Sequence, residues 1–120
     1  MIYKNNNKWC IIIPSEFTEQ VIHIIQSIPK GTVLTYGYIA KLAGNPRAAR
    51  QVSWVLHSSS KKYNLPWHRV ISSNGKISLK SEEDRQYQKS LLEQEGIKVL
   101  DGFKVDLEKY LWKIKSIKNL

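Results

Sequence analysis

Leu42-Ala43-Gly44-Asn45-Pro46-Arg47-Ala48-Ala49-Arg50-Gln51 is the stretch whose reading decides the fold. Gly44 can close one helix, because glycine takes the left-handed backbone that ends helices without a Cβ penalty. Asn45-Pro46 then opens another at once, with Asn45 as the expected cap and Pro46 at the first helical position. Upstream, Thr35 is the expected cap of a short helix through Tyr36, Ile39 and Leu42. Two short helices joined by so tight a turn read as a helix-turn-helix. In the second helix Val52, Val55 and Leu56 can pack inward, while Arg47, Arg50, Gln51 and Trp54 fall on another stripe. Ala48 and Ala49 are small enough to let the helix backbone come close to whatever it meets. A purely structural α-hairpin carries the same local signal, so the flanking chain has to decide.

Downstream, the polar, basic segment Ser58 to Lys62 reads as a loop leading to Pro66-Trp67-His68-Arg69-Val70. Pro66 presets its own backbone angle and biases Leu65 toward an extended form, which presents Trp67 on a non-helical backbone. Val70-Ile71-Ser72-Ser73 and Lys76-Ile77-Ser78-Leu79 flank Asn74-Gly75, the strongest short hairpin signal. A hairpin just after a helix-turn-helix is the wing of a winged helix. Ser81 caps the next helix, with Glu82, Glu83 and Asp84 in its first turn, Tyr87, Leu91 and Leu92 as its core stripe and Gly96 as its stop. Asp101-Gly102 predicts a second hairpin, and Asp106 caps a last helix with Leu107, Tyr110, Leu111 and Ile114 inward. The basic tail 113–120 is expected to fray. Upstream, Ser15 is the expected cap of a helix with Glu16 and Glu19 in its first turn and Phe17, Val21, Ile24, Ile25 and Ile28 as its apolar stripe. Residues 1–14 form an extension in which Trp9 to Ile13 suits a strand or docking segment. The fold class is therefore mostly α with a small β-hairpin wing, a single winged helix-turn-helix domain over 1–120.

Charge adds a partner class. The net charge is +9, from 19 basic and ten acidic residues. Between Gln20 and Ser81 there is no Asp or Glu, while Lys30, Lys41, Arg47, Arg50, Lys61, Lys62, Arg69, Lys76 and Lys80 supply nine of those 19. One wholly basic segment in a balanced frame is the footprint of a polyanion binder. No apolar run approaches the roughly 20 residues of a membrane span, and no signal peptide is recognisable. Cys10 is the only cysteine, which excludes an internal disulfide or a thiolate metal cluster. His23 reads as a solvated surface histidine, with no metal ligands at spacing around it. A cytoplasmic protein without membrane contact, metal or cofactor is expected.

Three segments in this order and spacing, Thr35-Tyr36, Gly44 to Arg50 and Pro66 to Val70, resemble the DNA-binding domain of O6-alkylguanine-DNA alkyltransferases. The likeness continues through Asn74-Gly75 to Glu95-Gly96 and covers roughly residues 15 to 112. It departs at one place: where the family has Pro-Cys-His-Arg-Val, this chain has Trp67. That is similar to the alkyltransferase-like proteins, which bind alkylated guanine in DNA without repairing it and present it to nucleotide-excision repair. An indole has one N–H donor and no group that ionises near neutral pH, so it cannot replace a thiolate nucleophile.

The resemblance implies roles for particular residues. Tyr36 crowds the phosphate beside the target and helps rotate the nucleotide out. Arg50 takes the vacated place in the stack, as the few-kcal/mol cost of extruding a base requires some substitute to do. Arg47, Ala48, Ala49, Gln51 and Ser53 meet the minor groove. Tyr36, Trp67, Arg69 and Ser81 line the lesion pocket, walled by 58–65 and 77–81. His68 and Glu95 match the enzymes' activating relay and are expected to survive as a hydrogen-bonded pair, with no catalytic residue left. The implied partners are double-stranded DNA containing O6-alkylguanine and nucleotide-excision repair proteins, met as a monomer. Two alternatives remain: a sequence-specific winged-helix regulator, and an active alkyltransferase using another nucleophile.

Overall fold

The structure, a computed structural model, describes residues 2–5, 8–11 and 16–114, the first two stretches by backbone pairing alone. Strands β1 (Ile2–Asn5) and β2 (Lys8–Ile11) pair antiparallel. The Ser15 cap, part of the Trp9 to Ile13 segment and the tail beyond residue 114 lie outside the described residues.

Helix α1 (Glu16–Ser27) buries Val21, Ile24 and Ile25 completely. Helix α2 (Tyr36–Leu42) starts where Thr35 predicted: the Thr35 hydroxyl accepts the Tyr38 amide at 3.2 Å. Helix α3 (Ala49–Tyr63) buries Val52, Val55 and Leu56 against α1 and α2. Burying each such side chain contributes about 1.5–3 kcal/mol, so three facing apolar stripes hold the helices together. The helix-turn-helix differs in one detail. Asn45 and Pro46 do not begin α3; the Asn45 Oδ1 accepts the Arg47 amide at 3.2 Å in a local turn, and the helix starts three residues later at Ala49. An Asn side chain that bonds its own backbone two residues on competes with helix formation.

Ser58 to Tyr63 is helical, a correction to the loop expected there. The hydroxyls of Ser58 and Ser60 bond back to the carbonyls of Trp54 and Leu56, and α3 ends only at Asn64 in the left-handed conformation (φ 49°). Pro66 is followed by a single 3-10 turn over Trp67–Arg69, where a non-helical segment was expected.

The wing is also rearranged. Asn74-Gly75 does turn the chain, with the Ser72 amide bonded to the Lys76 carbonyl at 3.0 Å and Gly75 at φ 80°. Its arms nevertheless go to different partners. Strand β4 (Val70–Ile71) pairs in parallel with β3 (Leu34–Thr35), and Lys76 bridges to Lys104. Val70 and Ile71 are each 1 % exposed, and burial on both faces favours a parallel partner inside the fold over a solvated ladder. Only glycine fits the turn: a Cβ at residue 75 would sit 2.8 Å from the Val105 carbonyl oxygen. The antiparallel hairpin after the helix-turn-helix is β5 (Val99–Leu100) with β6 (Lys104–Val105), as Asp101-Gly102 predicted.

Helix α4 (Glu82–Gln94) is capped by Ser81, whose hydroxyl accepts the Asp84 amide at 3.0 Å, and Gly96 stops it at φ 88°. Helix α5 is one turn, Leu107–Tyr110, shorter than expected. Leu111 leaves it to bridge Val33, taking the Trp112 amide to the Val33 carbonyl at 2.9 Å. Two apolar clusters result, one among α1, α2 and α3 and one among Val33, Ile71, Ile77, Leu92, Ile97, Val99 and Val105, with β4 contributing Val70 to the first and Ile71 to the second.

Candidate nucleic-acid interface

The parallel pair β3–β4 builds the site. Its register sets Leu34 beside Val70 and Thr35 beside Ile71, which carries the start of α2 to the end of the Pro66–Val70 segment. Tyr36 and Trp67, 31 positions apart in the chain, thereby line one cavity of about 330 Å³, together with Ser53, Leu56, His57, Ser60, Leu79 and Gln88. No Lys, Arg, Asp or Glu lines it. It is therefore a neutral, aromatic-floored chamber near the small end of ligand-site sizes, suited to one planar ring system. Tyr87 of α4 sits against Trp67 with ring centroids 5.9 Å apart and planes tilted by 42°. Burial pushes the Tyr36 hydroxyl above its ordinary range, so it stays protonated and remains a hydrogen-bond donor.

Beneath Trp67 the chemistry is of the opposite kind. His68 Nε2 lies 2.6 Å from Glu95 Oε2. The Arg69 guanidinium grips the same carboxylate, Nε at 2.9 Å from Oε1 and Nη2 at 2.8 Å from Oε2, and its Nη1 donates to the Ile28 carbonyl at 2.8 Å. The Gly31 amide donates to Oε1 at 3.0 Å. Burial alone would raise the Glu95 carboxyl; the bonds from Arg69, Gly31 and His68 outweigh it and hold the group down at about 2. Glu95 is thus a fully engaged anion and a very weak base. The expected His68–Glu95 pair is present, with Arg69 as its third member.

Here the reading of Arg69 is corrected. It does not line the chamber but is locked beneath it, because a bidentate, partly buried carboxylate competes better for a guanidinium than a neutral cavity does. Ser81 is likewise absent from the lining and spends its hydroxyl capping α4. Of the expected walls, Ser60 and Leu79 contribute.

From Arg47 into α3, exposure follows the spacing read from the sequence except at Ala48. Arg47, Arg50, Gln51 and Ser53 are exposed, and the side chains of Arg47 and Arg50 make no ion pair or hydrogen bond among the described residues. Trp54 is 70 % exposed and shares a second hollow with Ser53 and His57, just outside the chamber. Ala49 is half-buried at the helix start. Ala48 departs from the expected interface: at 5 % exposure its methyl packs into the core with Val52 and Val55, leaving only backbone to offer a partner.

Three residues at the site escaped the sequence reading. Gln88, 3 % exposed, occupies the inward position of α4 where Tyr87 was expected; Tyr87 is 57 % exposed. The Gln88 amide holds the His68 and Val70 carbonyls from below, and His57 and Leu56 complete the wall. The one available signal for Gln88 was its spacing, four residues before Leu92 on the buried stripe; its polarity argued against it.

Comparison with known proteins gives a consistent result. The family described as the DNA-binding domain of 6-O-methylguanine DNA methyltransferase matches residues 16–97. A protein of Escherichia coli (strain K12) named DNA base-flipping protein is 47 % identical over 96 residues, covering 80 % of this chain and 74 % of its own. Alkyltransferase-like protein 1 of Schizosaccharomyces pombe is 40 % identical over 103 residues, covering 82 % of this chain and 95 % of its own. The crystal structure of S. pombe Atl1 in complex with damaged DNA containing O6-carboxymethylguanine superposes with a TM-score of 0.76 at 37 % identity, covering 86 % of this chain and 100 % of that one.

Proposed function

The chain belongs to the family of the 6-O-methylguanine DNA methyltransferase DNA-binding domain, in its alkyltransferase-like branch, and on that premise we propose that it is a non-enzymatic sensor of O6-alkylguanine in duplex DNA. The observation that carries the reading is the division of labour around Trp67: a neutral chamber floored by the indole on one side, and a saturated ionic network on the other. The damaged nucleotide rotates into the chamber, where stacking on Trp67 contributes about 1–3 kcal/mol. Arg50 fills the gap in the duplex, Tyr36 presses on the neighbouring phosphate, and Arg47, Ala49, Gln51 and Ser53 meet the minor groove. Extrusion costs a few kcal/mol, which the stack on Trp67 and the Arg50 insertion offset.

Alkyl transfer off oxygen needs a soft, strong nucleophile. Trp67 stands where the family resemblance puts the acceptor cysteine, and the chamber offers only hydroxyls, an imidazole and an amide. The carboxylate that could activate a nucleophile is held at about 2 and its lone pairs are taken by Arg69, Gly31 and His68. The lesion is therefore held intact, and its removal falls to nucleotide-excision repair proteins recruited to the monomer on DNA.

Two measurements test this. Protein incubated with duplex carrying radiolabelled O6-methylguanine should gain no label while binding it more tightly than the same duplex with guanine; label on the protein refutes the reading. Trp67→Ala should lower lesion preference about tenfold while general DNA affinity changes little, as loss of one stacking surface requires. Equal losses on both duplexes would remove Trp67 from the chamber's function.

A further inference from the structure

Helix α3 carries a second aromatic surface, outside the chamber. Positions 50, 54, 57 and 61 follow one another at spacings of four, three and four, which returns them to one side of a helix. They are Arg50, Trp54, His57 and Lys61, and all four are exposed. The stripe exists because α3 continues to Tyr63, through the segment where a loop was expected. At roughly 1.5 Å of rise per residue it runs about 16 Å from Arg50 to Lys61.

The Trp54 ring meets no other ring and no cation among the described residues. A single exposed apolar side chain is ordinary on a protein surface. Two observations set this one apart. It lines a hollow of about 410 Å³ with Ser53 and His57, and both of those residues also line the chamber, so the hollow adjoins it along α3. The indole is also bracketed by cations. Helix α3 contains no Asp or Glu, and the side chains of Arg50 and Lys61 make no ion pair among the described residues. An apolar face between unanswered positive charges complements a nucleic-acid backbone, where deoxyribose alternates with anionic phosphate. Continuity with Arg50, which the reading above places in the duplex, selects DNA over a separate protein partner.

We propose that Trp54 and Lys61 extend the DNA contact along α3 beyond the lesion. Trp54 packs its indole against a deoxyribose of the flanking backbone, and Lys61 neutralises a phosphate farther along. Sugar and phosphate contacts fix position on a duplex without reading its sequence. This grip therefore meets undamaged nucleotides and strengthens binding to any duplex. It holds the protein on DNA whether or not the chamber is filled. Discrimination between damaged and undamaged DNA stays with the chamber, and retention on DNA falls to the stripe.

The proposal rests on the duplex-binding reading above, and one set of titrations separates the two. The full chain is titrated with two duplexes that differ only in guanine or O6-methylguanine at one position, over a series of salt concentrations. Trp54→Ala should weaken binding to both duplexes about tenfold, leaving their ratio and the salt dependence as in wild type. Trp54→Phe, which keeps an aromatic face, should recover most of that loss. Lys61→Ala should make the slope of log affinity against log salt shallower by about 1 on both duplexes. Undiminished affinity of Trp54→Ala for both duplexes overturns the proposal and leaves the indole to a protein partner. A loss confined to the O6-methylguanine duplex overturns it too, by moving Trp54 into lesion recognition. An unchanged salt slope in Lys61→Ala removes the phosphate contact. No wild-type preference for O6-methylguanine over guanine would instead defeat the sensor reading, while losses on the guanine duplex would still support the grip.

Discussion

Two regions flank Trp67 and treat charge in opposite ways. Under the indole, Glu95 collects Arg69, His68 and the Gly31 amide within 3.1 Å, and Arg69 spends its last direction on the Ile28 carbonyl. In the turn before α3 and on that helix's outer face, Arg47 and Arg50 are exposed with no side-chain partner among the described residues, near an indole that is 70 % exposed. The first arrangement is closed around its carboxylate: both Glu95 oxygens are answered from within the chain, so the group holds a shape and is spent as a ligand-binding anion. The second is open, and charges left unanswered in the folded chain are the ones available to neutralise phosphates and release counterions. Identical residue types thus do different work according to how completely the fold satisfies them.

Mutation can break that contrast in a graded way. The largest effect belongs to the closed side. Glu95→Ala leaves the partly buried Arg69 without its counter-ion and should lower unfolding stability by about 3 kcal/mol at pH 7, read from denaturant melts. The pH dependence follows with a definite sign. Because the folded carboxyl titrates at about 2 against an ordinary value of 4.5, its contribution is fully present above pH 4.5 and is lost as pH falls toward 2. Wild type should therefore shed about 2–3 kcal/mol through that window and the Glu95→Ala variant little. A variant as stable as wild type, or one with the same acid limb, would show that the network is decoration.

On the open side, Arg50→Ala should weaken binding to O6-methylguanine duplex by about 2–3 kcal/mol. Its melting behaviour should stay within about 0.5 kcal/mol of wild type, since Arg50 is exposed and its side chain has no partner among the described residues. Undiminished affinity would remove Arg50 from the flipping step. The smallest effect sharpens the boundary between the regions. Ser81→Ala removes a helix cap and should cost about 1 kcal/mol of stability while leaving lesion affinity per folded molecule unchanged. A selective loss of lesion binding would return Ser81 to the chamber.

Much of the fold is legible residue by residue. Thr35, Ser81 and Asp106 each cap the helix that follows, and each side chain accepts the expected backbone amide. The stripe through Val21, Ile24 and Ile25 is buried as its spacing dictates. These features are decided within one or two helical turns, and short-range chemistry writes them into short stretches. Where the reading failed at Asn74-Gly75 and at Arg69, a distant partner outbid a local preference. Asn74-Gly75 made its turn, yet the arms joined β3 and the β6 hairpin. Three serines and two lysines suggested a loop at 58–62, but the Ser58 and Ser60 hydroxyls found backbone carbonyls a turn earlier and the helix ran on. Arg69 sits beside Trp67 in the chain and was assigned to its pocket, whereas Glu95, far along the sequence, claimed it.

The sequence by itself determined the helical frame, the confinement of uncompensated positive charge to residues 20–81, and a motif with an indole in place of a nucleophile. Those are properties of residue identity and of spacing over a few positions. Only the tertiary structure decided which motif residues face the chamber and which lie beneath it. That partition hangs on the parallel register of Leu34–Thr35 with Val70–Ile71 and on the reach of Gln88 and Glu95 from α4 and its cap. Such contacts trade loop-closure entropy against burial and charge pairing across the whole chain, a balance that no local stretch of sequence records.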